Sequence, residues 1–394
     1  MKKVLIWNTY ELKPTGGPAG YLYNIQQYSK KNKIESIVFL SDIIDIKVLQ
    51  EGKYKIFFFK VFKKIYESFQ NNSSLGVLNF IKKVKSKKEY QKIDVDINDF
   101  DFIHFHTSYE FTKYIGYLQE NNFNGKTILT THTPKPTYLE IIEDWNRLKV
   151  NNISDTTLNK LKEIDNFAFN EADILLFPDK TALEPYKVWD NFTKIETKKN
   201  WRFIPTGINL VNFKEHKESI LEKYNIPAGS FIISYVGRHN ETKGFDLLKE
   251  FGTIILNKFN NVFFLIGGNE KPIQGISHER WIEVGWTDDP FSIINACDVF
   301  VLPNKETYFD LILLEVMCLD KPVLLSNTGG NRYFNNKNLD LYYFEALKVD
   351  SMINIFETKI YNKQFNYSKN KNYIINNLQT SHYINKYLDF LNND

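Results

Sequence analysis

Two doubly wound parallel sheets, separated by a cleft, form the α/β fold that this sequence predicts. The length, 394 residues, suits two domains of ordinary size. Short apolar runs alternate with amphipathic helical segments along most of the chain, as in parallel sheets whose strands are joined by crossover helices. These runs form two series that divide near residue 206. The pattern therefore predicts a first domain at 1–205 and a second domain at 206–379.

Six apolar runs define the predicted strands of the first domain. Each run has the length of a buried strand and is bounded by turn or polar residues. The runs are 3–7, 37–40, 101–105, 127–131, 172–177 and 202–205. Beyond the first of them, Gly16 and Gly17 lead into an amphipathic helix that begins near Pro18. Such a turn leaves backbone N–H groups at a helix start to hold an anion, with an ordinary strand-to-helix loop as the alternative.

Histidines follow two successive predicted strands of the first domain. His106 follows the run 101–105, and His132 follows the run 127–131. The carboxyl ends of parallel strands border the crevice where open α/β sheets bind ligands. We therefore predict a functional role for His132, with a purely structural histidine as the alternative.

A second series of apolar runs begins after residue 230. The predicted strands are 231–236, 262–266, 282–284, 299–302 and 323–325. Gly237 follows the first of these and allows a tight turn, while Arg238 and Lys243 place two cations beside a helix that starts near Phe245. Two cations and a helix N-terminus at a strand end make a competent diphosphate site, with two solvated surface charges as the alternative.

The stretch 298–330 holds a strand, a loop, a helix and a second strand. Glu306 lies in the loop and Glu315 lies at helical spacing with apolar residues that face the sheet. An ionised carboxylate near a buried face is costly unless a partner accepts it. This placement favours a ligand for Glu315, and a solvated glutamate at the helix edge is the alternative.

The segment 53–92 differs from the rest of the chain by its positive charge. It holds eleven lysines against two glutamates, in a protein whose net charge is +3. Phenylalanines interleave with the lysines, and a basic aromatic helix suits an anionic bilayer surface. A solvated basic face over a hydrophobic core is the alternative. Nucleic acid is disfavoured as a partner because no recognition motif accompanies the charge.

The two cysteines and the N-terminus narrow the class of protein. Cys297 and Cys318 lie in apolar surroundings and provide neither a disulfide framework nor a four-ligand zinc site. The first residues lack the apolar run of a signal peptide, and no run of eighteen apolar residues occurs. We expect a cytoplasmic protein, either soluble or peripheral at the inner face of the plasma membrane.

Ordered motifs along the chain carry a resemblance to a known family. They are GGPAG, THTP, IPTGIN, VGRHNETKG, VGW and ACDVFVLPNKETYFDLILLEVMCLDKPVLLSNTGG. In their order and character they resemble glycosyltransferase family 4, a group of retaining enzymes that use nucleotide sugars. The resemblance implies the GT-B architecture, in which two Rossmann-like domains face each other across a cleft. It also implies that a final helix, 380–394, packs back onto the first domain.

The resemblance assigns roles to the polar residues. Arg238 and Lys243, next to Gly237, would neutralise the donor diphosphate and stabilise the leaving group. Glu315 would accept both ribose hydroxyls. His132 would lie near the transferred sugar, bonding a hydroxyl or helping the acceptor. Gly16 and Gly17 would let the first domain approach the distal phosphate.

Two further sets of contacts are implied for the donor. Backbone N–H groups at Phe309, Asp310 and Leu311 would meet the sugar and the phosphate. The loop at Val284 and Gly285 would meet the base. The donor is expected to be a nucleotide diphosphate sugar, with uridine diphosphate as the expected nucleotide.

One loop departs from the family pattern. The family places seven residues between its two glutamates, whereas eight separate Glu306 from Glu315. Either the loop bulges by one residue and Glu306 reaches the sugar, which we favour, or Thr307 takes its place. Asp310 stands where the family has glycine. It adds a carboxylate near a diphosphate, which either disturbs the local contacts or turns toward a sugar hydroxyl.

The resemblance implies a metal-independent reaction with retention of configuration. The acceptor hydroxyl would attack from the leaving group's side while the β-phosphate takes its proton. Asp-x-Asp motifs at 94–96 and 99–101 could suggest a metal-dependent transferase, but they precede a strand instead of following one. Rival functions are a nucleotide-sugar phosphorylase or epimerase and a non-catalytic partner subunit of the same fold.

The predicted acceptor is a glycan or lipid-linked glycan. The basic segment 53–92 lies in the half of the chain that would bind the acceptor. We therefore expect a precursor of a bacterial surface polysaccharide or glycoprotein, presented at the cytoplasmic face of the membrane.

Overall fold

The computed structural model of the protein describes residues 1–14, 17–45, 93–147, 154–190, 192–361, 363, 365 and 368–394. These residues fall into two compact units. The first unit comprises Met1–Phe177, Tyr186–Ile204 and Ile384–Asp394, and the second comprises Pro178–Pro185 and Pro205–Tyr383. The predicted boundary at 205/206 lies one residue after the division between Ile204 and Pro205. The exchange of 178–185 into the second unit was not predicted.

The sheet of the first unit has six described strands, all parallel, in the order β2-β1-β3-β4-β5-β6. The strands are β1 (Val4–Trp7), β2 (Ile37–Phe39), β3 (Phe102–Phe105), β4 (Lys126–Leu129), β5 (Ile174–Phe177) and β6 (Asn200–Phe203). The helices are α1 (Pro18–Lys31), α2 (Leu40–Ile43), α3 (Ser108–Glu120), α4 (Thr137–Arg147), α5 (Asp155–Glu171) and α6 (Phe192–Lys198).

The core of the first unit explains why its strands read as unbroken apolar runs. Every residue of β1 and of β3 is buried, because helices cover both faces of a parallel sheet. The Trp7 ring packs on Phe105 of β3 and on Tyr114 of α3, with centroid separations of 5.3 and 5.1 Å. Aromatic packing of this kind fixes the central strands and thereby the positions of the loops at their carboxyl ends.

The sheet of the second unit also has six described strands, all parallel, in the order β12-β11-β10-β7-β8-β9. The strands are β7 (Phe231–Val236), β8 (Val262–Gly267), β9 (Trp281–Gly285), β10 (Val299–Leu302), β11 (Val323–Ser326) and β12 (Leu341–Phe344). The helices are α7 (Lys217–Lys223), α8 (Phe245–Lys258), α9 (Pro290–Ala296), α10 (Leu311–Cys318), α11 (Val349–Ile355), α12 (Lys369–Asn377) and α13 (Thr380–Asn393), of which α13 enters the first unit at Ile384.

The strands lie close to the predicted runs, with two informative differences. The predicted strand 127–131 is shifted, since β4 ends at Leu129 and leaves His132 in the following loop. The edge strand β12 was not predicted. Two of its four residues, both tyrosines, are only half-buried, so it lacks the continuous apolar pattern of a central strand.

A topological switch point occurs in each sheet. In the second sheet β7 and β10 are neighbours although β8 and β9 come between them in sequence, and in the first sheet β1 neighbours both β2 and β3. Connections leave such adjacent strands in opposite directions, which opens a crevice at their carboxyl ends. The loops after β7 and β10 carry the polar residues singled out in the second half of the sequence.

Some predicted features fall outside the described residues. Gly16 and the basic segment 53–92 are among them, so the predicted membrane contact stays a prediction. In the part of the chain that is described, no helix combines the length and apolar character needed to span a bilayer. Cys297 and Cys318 are buried, and burial raises the pKa of each thiol to about 12, which makes both inert.

Candidate functional site

The loop between β7 and α8 carries the two predicted cations. The Gly237 N–H donates to the Gly267 carbonyl at 3.0 Å and extends the pairing of β7 with β8 by one residue. Arg238 follows with an exposed side chain that has no ion-pair partner among the described residues. Gly244 then starts α8 with a φ of +67°, and a Cβ atom there would lie 1.8 Å from the Pro303 carbonyl oxygen. Glycine at 244 therefore lets the start of α8 approach the loop after β10.

Lys243 reaches across to the other loop. Its ammonium contacts both carboxylate oxygens of Asp310, at 2.9 and 2.8 Å. The Asn304 amide also donates to this carboxylate. Asp310 precedes α10, yet its side chain makes no capping hydrogen bond to the helix. The sequence analysis treated Lys243 and Asp310 as separate features. In the structure they form one ion pair.

Glu315 lies one turn into α10 and is half-buried. Burial, and secondarily the Asp310 carboxylate, raises its pKa to about 7. Leu313, Val316 and Met317 of the same helix are buried, while Leu311 is half-buried. A carboxyl group in such a setting is costly to ionise unless a hydrogen-bond donor contacts it. A ligand that carries hydroxyl groups would supply that donor.

The loop between β10 and α10 positions Glu306 and Thr307 differently. Thr307 is 1% exposed, its carbonyl accepts from the Gly330 N–H at 3.3 Å, and its hydroxyl has no hydrogen-bond partner among the described residues. Glu306 is half-buried and therefore more accessible. Phe309 is buried against Tyr333, with ring centroids 5.4 Å apart, which anchors the end of the loop.

The predicted base loop lies at the end of β9. Gly285 has a φ of +75°, its carbonyl accepts from the Gly268 N–H at 2.8 Å, and Val284 beside it is half-buried. Sequence analysis missed two titratable residues nearby. His239 is fully buried and its ring stacks on Phe245 at 3.8 Å.

Glu283 of β9 is the second missed residue. Burial raises its pKa to about 7, although the Trp281 indole donates to one of its oxygens at 2.7 Å. Its other oxygen lies 3.9 Å from His239 Nε2, too far for a hydrogen bond. The sequence held one signal for each residue. His239 directly follows Arg238, and Glu283 lies inside an apolar strand, but neither is part of a recognised motif.

Gly17, at the switch point of the first sheet, caps α1. Its φ is +78°, and its carbonyl accepts the first helical bond from Tyr21 at 3.1 Å. A Cβ atom at this position would meet no described atom within 4 Å, so open space adjoins the glycine. The backbone shape agrees with either an anion-holding turn or an ordinary helix start.

His132 is part of a cluster of aromatic side chains in the first unit. His106 Nδ1 lies 2.8 Å from His132 Nε2, and the two rings stack with centroids 5.0 Å apart. The Tyr21 ring from α1 lies 4.7 Å from the His132 ring. Burial lowers the pKa of His132 to about 3, so the imidazole is neutral at physiological pH. Its backbone has a φ of +57°, an unusual conformation that the surrounding loop enforces.

A chain of hydrogen bonds supports this cluster from within the sheet. The Thr130 hydroxyl donates to the Leu176 carbonyl at 2.7 Å and therefore accepts from His104 Nε2 at 2.9 Å. Because burial also lowers the pKa of His104 well below its usual value, its Nδ1 carries no proton and accepts from the Tyr387 hydroxyl at 2.8 Å. The tautomer of His104 thus follows from its partners.

A family comparison matches part of the second unit. Residues 230–354 match the family described as glycosyl transferases group 1. Over these residues the chain is similar to the group 1 glycosyltransferases. The match contains Arg238, Lys243, Glu306 and Glu315, the residues that the fold brings to the β7–β10 switch point.

Curated bacterial glycosyltransferases share part of the sequence. A UDP-Gal:alpha-D-GlcNAc-diphosphoundecaprenol alpha-1,3-galactosyltransferase of Escherichia coli is 28% identical over 205 residues, which are 47% of this chain and 52% of that protein. The capsular polysaccharide biosynthesis glycosyltransferase CapM of Staphylococcus aureus is 28% identical over 134 residues, 32% of this chain and 35% of CapM. The chain therefore spans about half or less of the length of these relatives.

Solved structures share the architecture of the group 1 region and of the remainder of the chain. Anabaena HepE in complex with UDP and glucose is 15% identical, with a TM-score of 0.64 and full coverage of both chains. Sucrose-phosphate synthase of Thermosynechococcus elongatus is 16% identical, with a TM-score of 0.56 over 79% of this chain and 76% of that one. These likenesses and the two six-stranded parallel sheets confirm the predicted α/β fold with GT-B neighbours.

Proposed function

We propose that this protein is a retaining glycosyltransferase of the family 4 type, which moves a sugar from a nucleotide diphosphate sugar to a saccharide acceptor. The observation that carries the proposal is the convergence of Arg238, Lys243 and Glu315 at the switch point between β7 and β10. Two cations suit a diphosphate, and a half-buried carboxylate with a raised pKa suits a pair of hydroxyl donors.

The cations Arg238 and Lys243 provide leaving-group stabilisation. As the glycosidic bond breaks, negative charge builds on the β-phosphate, and fixed cations lower the free energy of that state. This chemistry needs no metal ion, so we propose a metal-independent reaction without a cofactor. Glu315 accepts the ribose hydroxyls, and the backbone at Val284 and Gly285 meets the base.

Uridine diphosphate is the nucleotide that the comparisons favour. The Escherichia coli relative is named for UDP-Gal, and HepE was solved with UDP and glucose. Because the identities are low and the coverage by the Escherichia coli relative is partial, uridine diphosphate is proposed for the present chain and not assigned to it.

The acceptor hydroxyl attacks from the leaving group's side, its proton passes to the β-phosphate, and the configuration at the anomeric carbon is retained. Glu306, the more accessible of the two candidates in its loop, stabilises positive charge at that carbon. His132, neutral and held in place by His106, hydrogen-bonds the sugar or the acceptor.

The proposed acceptor is a lipid-linked or polysaccharide precursor. The relatives are named for a diphosphoundecaprenol-linked sugar and for capsular polysaccharide. The segment 53–92 would add electrostatic attraction to an anionic inner membrane face, where each lysine contributes on the order of 1 kcal/mol.

A non-catalytic partner subunit is the second candidate. The observation in its favour is the Lys243–Asp310 ion pair, because Asp310 neutralises a cation that a donor diphosphate would need. A phosphorylase or epimerase would use the same donor residues but no acceptor.

A donor screen tests these functions. Titration calorimetry with uridine, guanosine and thymidine diphosphate sugars should show binding of at least one, and slow hydrolysis of that donor should follow. The matched variants Lys243→Met and Lys258→Met separate the site from general charge, since Lys258 pairs with Glu357 on the surface of α8. We expect only Lys243→Met to lose binding. The enzyme proposal fails if no donor binds or is hydrolysed. Turnover of a donor to a free sugar phosphate or an epimer would favour the rival enzymes.

A further inference from the structure

Asp310 adds a negative charge to the site proposed for a diphosphate. Its side chain is 18% exposed, and both of its oxygens contact the Lys243 ammonium. The Asn304 amide donates to one of these oxygens, and Asn304 itself is fully buried. A carboxylate held by two partners is fixed in direction, so its charge stays beside the phosphate-binding cation.

The nearby cations are already neutralised. Lys305, whose N–H donates to the Thr242 carbonyl in the β7–α8 loop, pairs with Asp246 at 2.6 Å. Arg332 pairs with Glu184. Of the basic residues named so far on these loops, Arg238 alone has no carboxylate partner in the part of the chain that the structure describes. A donor diphosphate would itself use that guanidinium.

The balance of charge therefore disfavours any additional anion. After burial, the Asp310 carboxylate is the second cause that raises the pKa of the Glu315 carboxyl at the start of α10. The sugar of a nucleotide sugar is attached to the distal phosphate, so its substituents come within a few ångströms of the groups that hold the phosphate. The diphosphate would itself draw on Lys243, the cation that pairs with Asp310. A carboxylate on that sugar would then meet Asp310 with no further cation to offset the repulsion.

We propose that Asp310 restricts the donor to nucleotide sugars whose sugar carries no carboxylate. The inference rests on the proposed function, since it assigns Asp310 to the same donor site. It makes Asp310 a specificity-determining residue that acts by repulsion, and it names neutral hexoses as the substrate class and uronic acids as the excluded class.

Calorimetric titrations of matched donors test the inference. The wild-type protein is titrated with UDP, UDP-glucose and UDP-glucuronic acid, and with the galactose and galacturonic acid pair so that stereochemistry at C4 does not decide the outcome. We expect the uronic acid donor of the better-bound pair to bind at least tenfold more weakly than its neutral partner. In Asp310→Asn this ratio should fall below threefold. UDP itself should bind more tightly, because Lys243 is released.

Asp246→Asn is the matched control. It removes a carboxylate from a neighbouring ion pair and should leave the ratio of the two donors unchanged. Asp310→Ser is a second variant in case the asparagine variant does not fold. Equal binding of neutral and acidic donors by the wild type overturns the inference, as does an unchanged ratio in a folded Asp310 variant. If UDP and all donors fail to bind the wild type, the proposed function falls and the inference falls with it.

Discussion

The polar clusters of the two units are built from opposite kinds of side chain. At the β7–β10 switch point of the second unit, charged groups from the loops before α8 and α10 meet, and Lys243 contacts Asp310 at 2.8 Å. In the first unit, His104, His106 and His132 stand in a row, and burial lowers the pKa of each. One cluster carries formal charge, whereas the other is neutral and hydrogen-bonded.

The difference follows from how each cluster is supported. The charged groups lie at helix starts, where the backbone dipole favours the Asp310 carboxylate and partial exposure keeps the cations hydrated. The histidines lie on or just after buried strands, where an ionised group would lose its hydration. We infer that the second unit is suited to a phosphate and the first unit to sugar hydroxyls. Mutations should separate these two tasks.

Replacing Arg238 should have the largest effect. Arg238→Met keeps an unbranched apolar stem but removes the unpaired cation, and we expect kcat/KM for sugar transfer to fall by about 10²–10³-fold. The donor Kd should rise in parallel. Steady-state kinetics and calorimetry measure the two quantities. A Lys258→Met variant should stay near wild type. A loss of less than fivefold in Arg238→Met would show that the charged cluster does not hold the diphosphate.

Replacing His132 should give a smaller and different effect. His132→Asn suits a backbone φ of +57°, because asparagine tolerates the left-handed region. It breaks the link to His106, and we expect transfer to fall by about 10–10²-fold, the scale of one positioned polar group. The UDP Kd should change less than twofold, in contrast to Arg238→Met. The exposed His216, at the start of α7, provides the control His216→Asn. A His132→Asn variant that loses UDP affinity would remove the proposed division of tasks.

The sequence predicted the charged cluster better than the neutral one. Arg238, Lys243 and Glu315 stand at strand ends or at helical spacing, so their positions follow from local pattern. The contact of Lys243 with Asp310 joins residues 67 apart and depends on how closely Gly244 lets two loops approach. Packing between loops decides that distance, and no periodicity in the sequence encodes it.

The contacts of the histidine cluster were also beyond what the sequence could predict. His132 was predicted from its place after a strand, but the hydrogen bond between His104 and Tyr387 that supports its cluster joins β3 to α13. Tyr387 is 283 residues from His104, and their hydrogen bond forms only because α13 returns to the first unit. Strand positions could be anticipated from apolar runs. The hydrogen bonds between distant elements could not.

The pH dependence of donor binding should be the smallest of these effects. It identifies the ionisable group of the second unit that governs binding. The Glu315 pKa is raised to about 7, first by burial and then by Asp310. If only the ionised carboxylate accepts the ribose hydroxyls, the competent fraction falls from about nine tenths at pH 8 to about one tenth at pH 6. We expect the affinity for UDP-glucose to fall about tenfold over that range. Glu315→Gln should bind weakly and without this dependence.

The free protein should respond to pH with the opposite sign. The unfolded carboxyl ionises at its ordinary pKa of 4.5, whereas the folded one holds its proton up to about 7, so Glu315 lowers stability as pH rises through that window. Glu315→Gln should therefore melt at a higher temperature than wild type at pH 8 and at the same temperature near pH 4. Glu283 also has a pKa raised to about 7, which makes Glu283→Gln the necessary comparison. If the pH dependence of binding disappears in Glu283→Gln and persists in Glu315→Gln, the titrating group belongs to the base loop at β9, and Glu315 is not the ribose anchor.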